Sequence, residues 1–102
     1  MAKTIKELQE IMVVQLKQRG FYPKDDKEVL LRLGEEVGEV MEAVRENQSK
    51  EDLSHEMVDV FWNLLRLAEL KGIDLEKAFM EKWEINEKRP MNKVVTDISE
   101  NS

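Results

Sequence analysis

Apolar positions recur at spacings of three and four along most of this chain, the pattern of helices that each bury one face. Ile5, Leu8, Met12 and Leu16 set a first helix from about Thr4 to Arg19, with Gly20 as its C-terminal cap. The stretch GFYPKDD then opposes helix continuation through Pro23 and the aspartate pair. A second helix opens with Asp26 as N-cap and runs to about Asn47. Its apolar stripe is Val29, Leu30, Leu33, Val37, Val40, Met41 and Val44. Gly34 and Gly38 lie inside it, each costing up to about 1 kcal/mol relative to Ala. Either they let another helix or a ligand approach closely, or the helix tolerates them.

The stretch NQSKEDLSHE breaks the pattern, and Ser49 with Asp52 resembles a capping box. A third helix follows from about Lys50 to Lys71. Between Met57 and Leu70 it is apolar nearly all round, so in so short a chain the expected cover is a second subunit. Gly72 caps this helix and Asp74 caps a fourth, from about Leu75 to Lys88. The fourth is expected to bury Leu75, Ala78, Phe79 and Trp83, and Pro90 ends it. The segment 91–102, polar at its end, reads as a loosely ordered tail. With no convincing strand and no internal repeat, the prediction is one all-α domain over residues 1–90, a four-helix bundle completed by oligomerisation.

Composition narrows the possibilities. The 102 residues are 41% hydrophobic and 37% charged, a globular and helix-favouring balance. The absence of cysteine excludes disulfides and thiolate metal sites and is compatible with the cytoplasm. No apolar run approaches the roughly 20 residues that span a bilayer, and MAKTIKELQE lacks the apolar segment of a secretory signal. A net charge of −6 argues against a nucleic-acid polymer as partner. It also means that any polyanion this chain handles would need a cation between them.

The acidic residues are placed unusually. On the second helix, Glu36 and Glu39 are three apart and Glu35 and Glu39 four apart, so each pair shares a face. On the third helix, Glu56 and Asp59 are three apart. Asn63 continues their face one turn later and is a candidate substrate contact. Asp59 sits in the run EMVDVFWNLL, which otherwise excludes charge. Antiparallel packing of the two helices about Ser49 sets Glu39 level with Asp59 and makes the acids converge. Converging carboxylates repel, and a divalent cation removes that cost. All-oxygen donors suit Mg²⁺ or Mn²⁺. The plainer reading is a solvated acidic face with Lys or Arg partners.

A second group, Lys82, Asn86 and Arg89 in KWEINEKRP, recurs at four and three on one face. Two cations and an amide suit a phosphate chain, although a basic helix end also complements the macrodipole. His55 reads as a surface residue rather than a catalyst. Trp62 and Trp83 read as core or interface, and Phe21 and Tyr22 as core contacts or a base-stacking surface.

The EExxE at Glu35–Glu39 and the ExxD at Glu56–Asp59, on consecutive helices, resemble the signature of MazG-like nucleotide pyrophosphohydrolases, an all-α NTP pyrophosphatase superfamily. KWEINEKRP is similar to that family's Lys…Asn…Lys/Arg-Pro segment. The resemblance covers roughly Leu30 to Pro90 and identifies the superfamily, not a substrate. It implies that Glu36, Glu39, Glu56 and Asp59 ligate Mg²⁺, with Mn²⁺ as a substitute. Glu35 or Glu39 would orient the attacking water, and Glu35 could instead hold a further metal. Lys82, Asn86 and Arg89 would contact phosphates or sugar. It further implies a homodimer or homotetramer with sites completed across subunits. The implied reaction is Mg²⁺-dependent hydrolysis of a (d)NTP to the (d)NMP and pyrophosphate, as nucleotide-pool house-cleaning in the cytoplasm. The long two-domain members and the dimeric dUTPases fit less well, because this chain has neither a second domain nor a clear dUTPase-specific insertion. Two alternatives stay open: a phosphoribosyl-ATP pyrophosphohydrolase, and a non-catalytic helical oligomerisation module.

Overall fold

Four helices account for the regular structure of the computed structural model, which describes residues 2–20 and 25–89. They are α1 (Ile5–Arg19), α2 (Asp26–Arg45), α3 (Lys50–Leu70) and α4 (Leu75–Lys88), and there is no strand among the described residues. Phe21, Tyr22, Pro23, Pro90 and the expected 91–102 tail lie outside the described residues.

Local chemistry sets the helix ends. Thr4 and Glu7 form a reciprocal capping box at the start of α1, with the Glu7 amide donating to Thr4 Oγ1 at 3.1 Å and the Thr4 amide donating to Glu7 Oε1 at 2.9 Å. Gly20 closes that helix at a φ of +73°, in the left-handed region that glycine enters without strain. The N-cap of α2 is Asp25, one residue earlier than expected. Its carboxylate accepts from the Lys27 amide at 2.9 Å, which frees Asp26 to pair with Lys71. α2 ends at Arg45, short of the expected Asn47, because Asn47 turns to a φ of +53° and cannot continue the helix. Ser49 caps α3 and Asp74 caps α4 through the amides of Asp52 and Lys77, both at 3.1 Å.

α2 and α3 pack as an antiparallel hairpin about the 46–49 turn. At its open end Lys71 Nζ meets Asp26 Oδ2 at 2.5 Å, tying the end of α3 to the start of α2. α1 lies against α3 and α4. The core is Met12, Leu16 and Leu65, with Ile5, Val13, Phe61, Trp62 and Leu75 packed against it.

Much of the expected apolar surface stays uncovered in the single chain. On α2, Val29 and Ala43 are buried, but Leu30, Val37, Met41 and Val44 are exposed. On α3, Leu65 and Ala68 are buried, while Met57, Val58 and Leu64 are exposed. α4 buries no residue fully. Its Leu75 and Ala78 are partly covered as expected, but Phe79 and Trp83 are 55% and 54% exposed. Leu8 of α1 also lies at the surface. The physical reason is geometric: each apolar stripe is wider than the neighbouring helices of the chain can cover. Gly34 and Gly38 meet nothing either, since an added Cβ would find no atom within 4 Å.

Candidate metal centre

The hairpin brings three carboxylates together. Glu36 of α2 and Glu56 and Asp59 of α3 each offer an oxygen, and these oxygens all lie within 4.8 Å of one another. Glu36 and Glu56 are partly buried and Asp59 is exposed, so the group opens to solvent on one side. Burial holds the Glu36 carboxyl above its ordinary pKa, and the charges of Asp59, Glu56, Glu39 and Glu35 push it in the same direction. Among the described residues no Lys or Arg forms an ion pair with any of the three. Three converging carboxylate oxygens without a thiolate or imidazole are a donor set for a hard divalent ion. Mg²⁺ and Mn²⁺ both suit such a set.

The other expected site residues fall in different places. Glu39, three residues along α2 from Glu36, is outside the 4.8 Å group but close enough for its charge to act on Glu36. Glu35 does the same from an exposed position. Glu42 stays out of the group and is partly buried. His55 is exposed and outside the group. Trp62 packs on the core, whereas Trp83 is at the surface.

Asn63 is buried, at 5% exposure, rather than presented to solvent. Its Nδ2 donates to the Asp59 carbonyl at 2.9 Å, and its Oδ1 accepts from Arg66 Nη1 at 3.1 Å. Lys82 and Asn86 on α4, and Arg89 at its C-cap, are exposed, and that helix packs on α1 rather than on the carboxylate-bearing face of α2. Within one chain they are not among the residues that close the acidic group.

Arg66, not expected from the sequence, joins this face through its bond to Asn63. The available signal was a cation in the largely apolar run LLRLAEL, seven residues from Asp59 and three from Asn63, hence on their face. Burial lowers its pKa, and the charge of Arg32 acts in the same direction, against a smaller opposing effect of Glu28. The guanidinium remains protonated throughout the physiological range.

Comparison with known proteins agrees with this arrangement. Residues 24–91 match the family described as the MazG nucleotide pyrophosphohydrolase domain. A phosphoribosyl-ATP pyrophosphatase from Bacillus cereus (strain B4264) is 36% identical over 86 residues, covering 84% of this chain and 79% of the relative. One from Bacillus mycoides (strain KBAB4) is 39% identical over 67 residues, 66% of this chain and 62% of that one. Among solved structures, the crystal structure of a Bacillus-conserved MazG protein, a nucleotide pyrophosphohydrolase, superposes with a TM-score of 0.73 at 26% identity. That match covers 91% of this chain and 97% of the other.

Proposed function

Since the chain belongs to the MazG nucleotide pyrophosphohydrolase family and is a nucleotide pyrophosphohydrolase, we propose that its substrate is a nucleoside or deoxynucleoside triphosphate, cut to the monophosphate and pyrophosphate. The observation that carries this reading is the Glu36–Glu56–Asp59 group on the α2–α3 hairpin. With Glu39 beside it, this group would hold Mg²⁺, or Mn²⁺ in its place. The bound ion would neutralise phosphate oxygens and stabilise the charge that develops as the α–β anhydride breaks. Glu35 or Glu39, both at the edge of the group, would accept a proton from the attacking water and align it with the α-phosphorus.

Lys82, Asn86 and Arg89 belong to the reading as phosphate or sugar contacts. Their place on α4, away from the acidic group, supports their entering the site from a second copy of the chain. The uncovered stripes on α2, α3 and α4 support a homodimer or homotetramer for the same reason. A role in nucleotide-pool house-cleaning in the cytoplasm goes with this substrate class. No helix among the described residues is long and apolar enough to cross a membrane.

A second reading is hydrolysis of phosphoribosyl-ATP, favoured by relatives of that name at 36% to 39% identity. The bond cut and the pyrophosphate released are the same in both. A panel of (d)NTPs and phosphoribosyl-ATP, assayed with Mg²⁺ for monophosphate and pyrophosphate, separates them. Turnover of phosphoribosyl-ATP with none of any (d)NTP selects the second reading. Absence of turnover across the panel, and of Mg²⁺ or Mn²⁺ binding in calorimetry, leaves only a helical oligomerisation module.

A further inference from the structure

Arg32 of α2 and Arg66 of α3 are two cations at one level of the hairpin, on the open-end side of the acidic group. Their positions follow from the register of the hairpin. Asp26 and Lys71 pair at its open end. Arg32 lies six residues after Asp26 and Arg66 five before Lys71, so antiparallel packing sets the two level. In agreement, the charge of Arg32 is felt at Arg66. Both continue the faces that carry the carboxylates: Arg32 is four residues before Glu36, and Arg66 seven after Asp59. At the rise of an α-helix they stand about 6 Å and about 10 Å along the same groove from those acids.

Neither guanidinium is neutralised in contact. Among the described residues no carboxylate makes an ion pair with Arg32 or Arg66, and Glu28 acts on Arg66 only at longer range. Arg66 is partly buried, and its Nε is shielded from solvent without an acceptor. Its one hydrogen bond, to Asn63 Oδ1, fixes it to the turn that begins at the Asp59 carbonyl. Holding two like charges together with a donor unmet is unfavourable. A ligand with several anionic oxygens relieves both costs, and the planar donor fork of arginine matches phosphate.

We infer that Arg32 and Arg66 form a phosphate subsite that grips the terminal phosphate of the substrate's triphosphate chain, in line with the acidic group that lies over the bond to be cut. This deepens the proposed function and rests on it. Asn63 is then a positioning residue that aims Arg66, in place of the direct substrate contact expected of it.

The test is calorimetric titration of inorganic tripolyphosphate, in excess Mg²⁺, into the wild-type chain and the Arg32→Gln and Arg66→Gln variants. Each substitution is expected to weaken tripolyphosphate binding by about tenfold or more, with Mn²⁺ affinity unchanged. In turnover, KM for the triphosphate rises by a similar factor while kcat holds. Arg32 is exposed, so Arg32→Gln keeps the test sound if Arg66→Gln folds poorly. The subsite is overturned if Arg32→Gln binds tripolyphosphate as the wild type does, or if the wild type does not bind it. If no nucleotide is hydrolysed but Arg32→Gln still weakens tripolyphosphate binding, the subsite stands and the proposed reaction falls. If pyrophosphate is released with an unchanged KM in Arg32→Gln, the reaction stands and the subsite falls.

Discussion

Glu36 and Asp59 face each other across the α2–α3 hairpin, their carboxylate oxygens in one group within 4.8 Å. After burial, the charge of Asp59 is the largest influence holding the Glu36 carboxyl above its ordinary pKa. Glu36 therefore binds its proton more readily in the folded chain than in the unfolded one. That contribution to stability is present below the ordinary glutamate value and is lost as pH rises through the raised one. The difference in Tm between Glu36→Gln and the metal-free wild type should be small at low pH and grow in favour of the variant across that window. Mg²⁺ should reverse the order, since it stabilises only the wild type. Thermal melts at several pH values, with and without Mg²⁺, read both effects.

Proton linkage extends to binding. Ligation requires the Glu36 carboxylate, so Mn²⁺ binding should release protons on the acid side of neutrality. Calorimetry in buffers of different ionisation enthalpy, between the ordinary glutamate pKa and the raised one, measures the release. Equal heats in all buffers through that window would show that Glu36 is already ionised or does not take part.

Met12 is fully buried against Leu16 and Leu65. Met12→Ala removes the largest side chain of that cluster and leaves a cavity between α1 and α3. Denaturant unfolding should show a loss of about 2–4 kcal/mol. The effect should be on stability alone, since Met12 lies on a different helix from the carboxylates.

Val37, Met41 and Val44 form an exposed stripe along α2. The proposed assembly covers such stripes, so sedimentation equilibrium should give the wild type a mass at least twice that of one chain. Met41→Arg should shift it toward the monomer. A monomeric wild type would leave the stripe without a partner copy.

Gly34 and Gly38 have open space around the position of a Cβ. Alanine at either should raise the stability of the fold by about 0.5–1 kcal/mol through the lower entropy cost of ordering the helix. A loss of stability in thermal melts would instead place a second copy of the chain close against that strip.

What could be read in advance was what local chemistry decides. The caps at Ser49 and Asp74 and the stop at Gly20 depend on a few adjacent residues, and so were legible. The hairpin register followed from the length of the break at Ser49, and with it the meeting of Glu36, Glu56 and Asp59. Burial was less legible, because a stripe such as Phe79–Trp83 shows that a face is apolar without showing what covers it. The link from Asp59 through Asn63 to Arg66 was missed for another reason. A side-chain amide in a helix can point to solvent or back along its own helix, and spacing alone does not choose.

In the proposed reaction, Glu36, Glu56 and Asp59 hold the cation that makes nucleotide hydrolysis possible. The most direct measurement compares Mg²⁺-dependent pyrophosphate release by the wild type and Asp59→Asn over the nucleotide panel. Removing one ligand charge should lower kcat/KM by more than about 100-fold, beyond what outer-shell changes at metal sites reach, with the fold retained by circular dichroism. Wild-type pyrophosphate release from Asp59→Asn would contradict the account.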